Sequence, residues 1–167
     1  GLGDHPCEGA DFIEWGSGSS GWLYKYQTKG VESLIKGLEF NFGYNYKNLK
    51  VIYDFSLVRG DDLTNNIPLS YINPDKQILN LEYNKEAMSY KIRLSKINDQ
   101  NRLGEFETFT ESSLLFDFVI AYTKFNQNIT IQFNNILDEE YYNHLSRIKA
   151  ITPEAGRNLM ISYKIFF

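Results

Sequence analysis

The side chains best suited to chemistry in this 167-residue sequence are few, with two His and one Cys. Asp4, His5, Cys7 and Glu8 lie close together near the start and could touch a metal-bearing ligand, although the Gly/Ser-rich stretch that carries them reads first as a solvated loop. His144 follows Asp138 and Glu139 by six and five residues, spacings that match no metal-ligand pattern in a loop. No metal site is assigned. A lone Cys cannot form an internal disulfide, so Cys7 is a free thiol or half of a pair whose partner lies outside the chain. No Ser/His/Asp grouping, phosphate-cradling Gly loop or zinc spacing of cysteines is present. The sequence therefore calls for no catalytic role and no cofactor.

The elements that must position these residues are strands. Residues 34–46 alternate Leu34, Lys36, Leu38, Phe40, Phe42, Tyr44 and Tyr46 against Gly37, Glu39, Asn41, Gly43 and Asn45, the period of a half-buried strand. A tight turn at Lys47 and Asn48 leads to Leu49, Val51, Tyr53, Phe55 and Leu57 on one face, with Lys50, Asp54 and Ser56 opposite. This is a hairpin. Leu79 to Tyr83 and Met88 to Leu94 repeat it around a turn at Lys85 and Glu86, and Leu114 to Tyr122 and Ile129 to Phe133 repeat it around Asn126. Leu159, Ile161, Tyr163, Ile165 and Phe167 form the last strand. Residues 22–27 are expected to extend the first, which gives about seven strands, and residues 1–21 are read as loop.

Composition narrows the class. A net charge of −4, with 17 Lys+Arg against 21 Asp+Glu, and no basic cluster argue against nucleic acid. No apolar run approaches the ~18 residues of a spanning helix, and the mean hydropathy is −0.38. The 16% aromatic content must be explained by strands or interfaces. Short connections alternate strictly with long ones, so all the short ones fall at one end of the sheet. That is the anatomy of an outer-membrane barrel, with apolar-out and polar-in alternation, tight periplasmic turns and long outer loops. Tyr44, Tyr46, Tyr83, Tyr90, Tyr122 and Phe125 flank the tight turns, as an interfacial girdle would. Seven strands cannot close an up-and-down barrel with both ends on one side, and the inward face is too polar for a packed small barrel. The expected fold is all-β, an antiparallel up-and-down transmembrane β-barrel fragment.

Specific residues then match a known family. Asn135, Ile136, Leu137 and Asp138 precede Tyr141, Tyr142, Asn143, His144, Leu145 and Ser146, followed by Pro153, by Gly156, Arg157 and Asn158, and by a terminal Phe167. This resembles the C-terminus of TonB-dependent outer-membrane receptors. Weaker echoes are Lys36 to Glu39, residues 68–74 and residues 107–117, while Asn73 and Ala155 stand where the family commonly has Pro. The resemblance implies that residues 22–167 are the last strands of a barrel of about 22, with residues 1–21 a truncated outer loop. Asn135, Asp138, Tyr141, His144, Gly156, Arg157 and Asn158 would be architectural, and Tyr163 and Phe167 an insertion signal. The opening residues show no initiator Met and no signal-peptide pattern, so a processed chain or a fragment is expected.

The function implied by the resemblance is energy-coupled uptake of a scarce nutrient complex across the bacterial outer membrane, such as an iron or other metal chelate, a siderophore or a cobalamin-like molecule. Partners would be outer-membrane lipid, the N-terminal plug and remaining barrel strands of the same receptor, the inner-membrane TonB complex, the barrel assembly machinery and the metal chelate. Ligand contacts would lie in residues 61–73, 98–111 and 139–154, with Asp61, Asp62, Tyr71, Arg102, Glu105, His144 and Arg147 as candidates. The alternatives are a passive diffusion porin and, from another class, a soluble adhesive β-domain.

Overall fold

The computed structural model describes Phe12–Glu14, Trp22–Tyr24 and residues 30–166. By contacts the chain divides into Gly1–Val31 and Glu32–Phe167. In the first unit β1 (Phe12–Glu14) pairs antiparallel with β2 (Trp22–Tyr24), Phe12 opposite Tyr24. Two expectations are corrected here. Residues 1–21 are not all loop, because the apolar pair Phe12 and Ile13 forms a strand. Trp22–Tyr24 does not extend the first long strand, because it pairs with β1 instead. Residues 25–27 lie outside the described ones.

The second unit is a single antiparallel sheet. Its strands are β3 (Ser33–Tyr46), β4 (Leu49–Asp62), β5 (Ile67–Pro68), β6 (Lys76–Lys85), β7 (Met88–Ile97), β8 (Ser113–Lys124), β9 (Gln127–Asn134) and β10 (Asn158–Ile165). The path runs β10-β9-β8-β7-β6-β4-β3, with the short β5 against the end of β4. Each long strand thus pairs with its neighbours in sequence, the up-and-down order expected. β3 and β10 are the two edges, and the sheet stays open.

Register carries the alternation across the whole sheet. Tyr44 lies opposite Val51, Val51 opposite Leu81, Leu81 opposite Ile92, Ile92 opposite Phe118, Phe118 opposite Phe133, and Phe133 opposite Leu159. Directly paired residues share a face, so these side chains form one continuous apolar surface. The opposite face carries Asn41 against Asp54, Asn80 against Arg93, Arg93 against Asp117, and Val119 against Gln132.

Among the described residues no hydrophobic side chain is buried, whereas Asp62, Ser95, Gln100, Thr110, Ser113, Asn135 and His144 all are. Phe40, Phe42 and Ile161 are 52%, 52% and 65% exposed. A soluble sandwich would bury this surface against a second sheet; here no second layer among residues 32–166 covers it.

The tight turns are two residues long. Lys47 and Glu86 adopt φ of 51° and 52°, and Phe125 and Asn126 adopt 48° and 59°, the left-handed backbone that two-residue hairpins require. The second turn is Glu86 with Ala87 rather than Lys85 with Glu86. Lys85 stays in the ladder opposite Met88, which corrects the expected position by one residue.

Candidate functional site

The long connections 63–75, 98–112 and 135–157 leave the same end of the sheet and are tied to one another there. At the base, β4 outruns its apolar alternation: Asp61 and Asp62 pair with Leu34 and Ser33, which keeps both carboxylates on an ordered strand. Asp62 Oδ1 accepts the backbone N–H groups of Thr64 and Asn65 at 2.9 and 3.0 Å. The side chain thus satisfies turn donors that the ladder cannot. Asp61 forms an ion pair with Arg102 of the next long connection.

Above them is a polar knot. Ser70 Oγ donates to the Glu105 carbonyl at 3.1 Å, and Gln100 Nε2 donates to the Ile72 carbonyl at 3.0 Å. The approach is so close that a Cβ on Gly104 would fall 2.3 Å from Ser70 Oγ and 2.4 Å from its backbone N. Only glycine fits at 104. Glu107 then clamps two segments, accepting the Tyr71 N–H on Oε1 at 2.7 Å and the Gly104 N–H on Oε2 at 2.8 Å. These bonds hold Tyr71 at φ 60°, a left-handed conformation for a non-glycine residue.

The third connection enters through His144, which is 3% exposed. Its Nδ1 lies 2.8 Å from Thr110 Oγ1 and 3.2 Å from Lys149 Nζ, while Lys149 also donates to the Thr108 carbonyl at 2.6 Å and to Thr110 Oγ1 at 2.7 Å. An ammonium has no lone pair to offer, so Nδ1 is the acceptor and the ring proton sits on Nε2. That nitrogen is 3.2 Å from Glu107 Oε1, yet it makes no aligned hydrogen bond. With the ring neutral this is a carboxylate facing an N–H dipole, not an ion pair, and the directional bond is missing.

The electrostatics follow from this arrangement. Burial, aided by the Lys149 charge, pushes the His144 imidazole below its ordinary value against the opposing pull of Glu107. Burial pushes Glu107 up, but the two backbone N–H bonds and His144 outweigh it and leave the carboxyl below its usual range. Burial lowers the Lys149 ammonium, with Glu107 opposing.

The motif residues close the same connection at its root. Asn135 is 4% exposed; its backbone N–H donates to Asp117 Oδ1 at 2.9 Å, and its side chain exchanges bonds with Glu139, Nδ2 to the carbonyl at 2.8 Å and Oδ1 from the N–H at 3.0 Å. Asp138 Oδ1 accepts the Arg157 N–H at 3.0 Å, and the Glu154 N–H donates to the Tyr141 carbonyl at 2.9 Å. Asn158 Nδ2 donates to the Gly156 carbonyl at 3.0 Å as β10 begins. Burial, then the charges of Glu154 and Asp117, raise the Tyr141 phenol.

Of the sequence candidates, Asp61, Asp62, Tyr71, Arg102, His144 and Arg147 thus all sit in this assembly, and Glu105 touches it through its carbonyl. Arg147 lies over the exposed Tyr71 ring at 5.8 Å. Glu107, Thr110, Lys149 and Gln100 were missed. Only Glu107 left a trace, as a carboxylate three residues after Gly104 and able to cap that turn. Beneath the loops the polar face holds a cavity of about 470 Å³ lined by Glu39, Lys76, Tyr141, His144 and Glu154. Farther along the same face is one of about 340 Å³ between Lys50, Glu82, Lys91, Arg93, Asp117 and Gln132. Among the described residues no cluster of three or more His, Cys, Asp or Glu could hold a metal ion. Asp4, His5, Cys7, Glu8 and Phe167 lie outside the described residues.

No protein-family model matches the chain, and no curated protein matches it in sequence. Among solved structures it is similar to one described as "Copper transporter OprC", with a TM-score of 0.75 and 20% identity, covering 82% of this chain and 24% of that one. The chain thus spans about a quarter of the length of the structure it matches. At this identity the likeness shows the fold alone, an all-β, antiparallel up-and-down sheet matching a barrel fragment.

Proposed function

We propose that the chain is the C-terminal part of an outer-membrane receptor that takes up a scarce nutrient complex, a metal or metal chelate, in an energy-coupled manner. The observation that carries this reading is the inverted sheet: no buried hydrophobic residue among those described, and one continuous apolar face. In water such a sheet would leave a large apolar area exposed at about 25 cal/mol per Å². In lipid the same face is satisfied and the ladder bonds supply every interior backbone group. A metal as cargo is consistent with the copper transporter whose fold it shares.

Ligand capture belongs to the long-loop end. Tyr71 and Arg147 offer an aromatic face and a guanidinium at the surface, Arg102, Asp61 and Glu105 lie beside them, and Asp62 and His144 hold the loops in shape. The plug, the missing strands and the inner-membrane TonB complex complete the machine, and Tyr163 with Phe167 addresses it to the barrel assembly machinery.

The experiment is uptake of radiolabelled copper, free and chelated, by cells producing the full-length parent, with and without collapse of the inner-membrane proton gradient, alongside membrane fractionation. Saturable uptake lost on collapse is expected. Uptake that persists and rises linearly with concentration would indicate a diffusion porin, and recovery in the soluble fraction would indicate an adhesive β-domain.

A further inference from the structure

The tight-turn end of the sheet carries a pattern that uptake does not use. Each of its three hairpins places a Lys just beyond a Tyr of the apolar face: Lys47 after Tyr46, Lys85 two residues after Tyr83, and Lys124 two residues after Tyr122. By the strand period of two, Lys85 and Lys124 stand on the apolar face at its very end, and Lys85 pairs with Met88 of that face. Lys47 Nζ lies 5.2 Å over the Tyr46 ring, and Lys124 Nζ lies 5.0 Å over the ring of Phe125, itself 82% exposed. The ammonium groups of Lys47 and Lys124 therefore rest against aromatic rings of the rim.

The row is ordered by the backbone. The Asn84 N–H donates to the Asn48 carbonyl at 2.9 Å and the Thr123 N–H to the Ala87 carbonyl at 2.8 Å, so neighbouring turns are bonded to one another. Successive hairpins stand about 10 Å apart, two strand spacings. No ion pair among the described residues engages Lys47, Lys85 or Lys124, whereas at the loop end Arg59 pairs with Asp75 and Arg102 with Asp61. Within the three turns and their flanking Lys residues, Glu86 is the single carboxylate.

We propose that this rim is a binding surface for anionic phospholipid headgroups, in which Lys47, Lys85 and Lys124 hold phosphates and the adjoining tyrosines sit at the headgroup level. Unpaired cations at the border of an apolar face meet a negative lipid surface favourably, by about fivefold in affinity per Lys. Tyr rings bury their apolar body in the acyl region and keep the hydroxyl among the phosphates. A zwitterionic headgroup offers the same phosphate with its charge already cancelled, so the surface distinguishes phosphatidylglycerol from phosphatidylcholine.

The proposal rests on the reading that the apolar face meets lipid, and one experiment separates the two. The full-length parent is reconstituted in vesicles of phosphatidylcholine alone and of phosphatidylcholine with phosphatidylglycerol of identical chains. The lipid retained after gentle detergent extraction is weighed by mass spectrometry. Wild-type protein should insert in both and retain phosphatidylglycerol several-fold above its share at low salt, falling toward its share as salt screens the charges. The Lys47→Gln, Lys85→Gln, Lys124→Gln triple variant should lose that enrichment, the single variants should lose it in part, and the triple Lys→Arg variant should keep it. Insertion with no enrichment, or enrichment unchanged in the Gln variants, would overturn the lysine surface alone. Failure of the wild type to insert in either vesicle would overturn the membrane reading and this surface with it.

Discussion

The body of the sheet and the loop end above it invert each other's chemistry. Along the strands the apolar side chains share one face and, among the described residues, none is buried. At the loop end every buried side chain among the described residues is polar, and the segments are held by hydrogen bonds to Glu107, Asn135, Asp62 and His144. The difference teaches where each region's cohesion comes from. Strands need only their ladders and an apolar surrounding, so they tolerate change on the polar face and resist charge on the other. The loops bury no hydrophobic side chain among the described residues, so they answer to single hydrogen bonds, to one close backbone approach and to protonation.

The largest effect is expected from placing a charge on the wrong face. Phe118→Lys, at the middle of β8 on the apolar face, should cost about 2 to 4 kcal/mol in a bilayer. Val119→Lys, one residue away on the polar face beside Gln132, should cost little. Unfolding of the full-length parent from lipid vesicles by guanidinium measures both, and equal costs would break the contrast.

That contrast was legible in sequence because side-chain alternation is a local signal. Phe116, Phe118, Ile120 and Tyr122 announce a face before any partner strand is known, and register then aligns the faces. Strand ends were less legible: Arg59, Gly60, Asp61 and Asp62 do not alternate, yet they stay in the ladder because residues 33–36 run alongside them. The loop end was read only as far as position allows. Asp61, Tyr71 and Arg147 stood out as polar or aromatic groups in long connections. The bonds from Glu107 to Tyr71 and from Lys149 to Thr108 span 36 and 41 residues, and no periodicity encodes such a pairing.

Next in size is Gly104→Ala. The added carbon meets Ser70 backbone, so residues 63–75 and 98–112 must separate, at about 1 to 3 kcal/mol as for other overpacked sites. Limited proteolysis of the full-length parent should show faster cleavage within 98–112, while resistance of the strands to unfolding stays unchanged.

The smallest effect is one of pH. His144 is buried beside Lys149 and takes up a proton less readily in the folded loops than in the unfolded chain, where its value is 6.5. As pH falls through about 6.5 the unfolded segment gains a proton that the folded one refuses, so the loops lose stability. Glu107, held below its ordinary 4.5, acts in the same direction at lower pH. Measured against the intrinsic rate at each pH, the protection of the Tyr71 and Gly104 amides from hydrogen exchange should therefore fall between pH 7.5 and 5.5. His144→Gln should flatten that dependence, and amides of β7 and β8 should show neither change.

The most direct test compares two neighbouring positions that differ only in face. Ile120 lies opposite Ile131 on the apolar face, and Gln132 follows Ile131 on the polar one. In a Cys7→Ser background of the full-length parent, Ile120→Cys and Gln132→Cys would each carry a fluorophore in vesicles of brominated lipid. Strong quenching at 120 with little at 132 is expected if the apolar face meets the acyl chains. Equal quenching at both positions, or the reverse order, would contradict it.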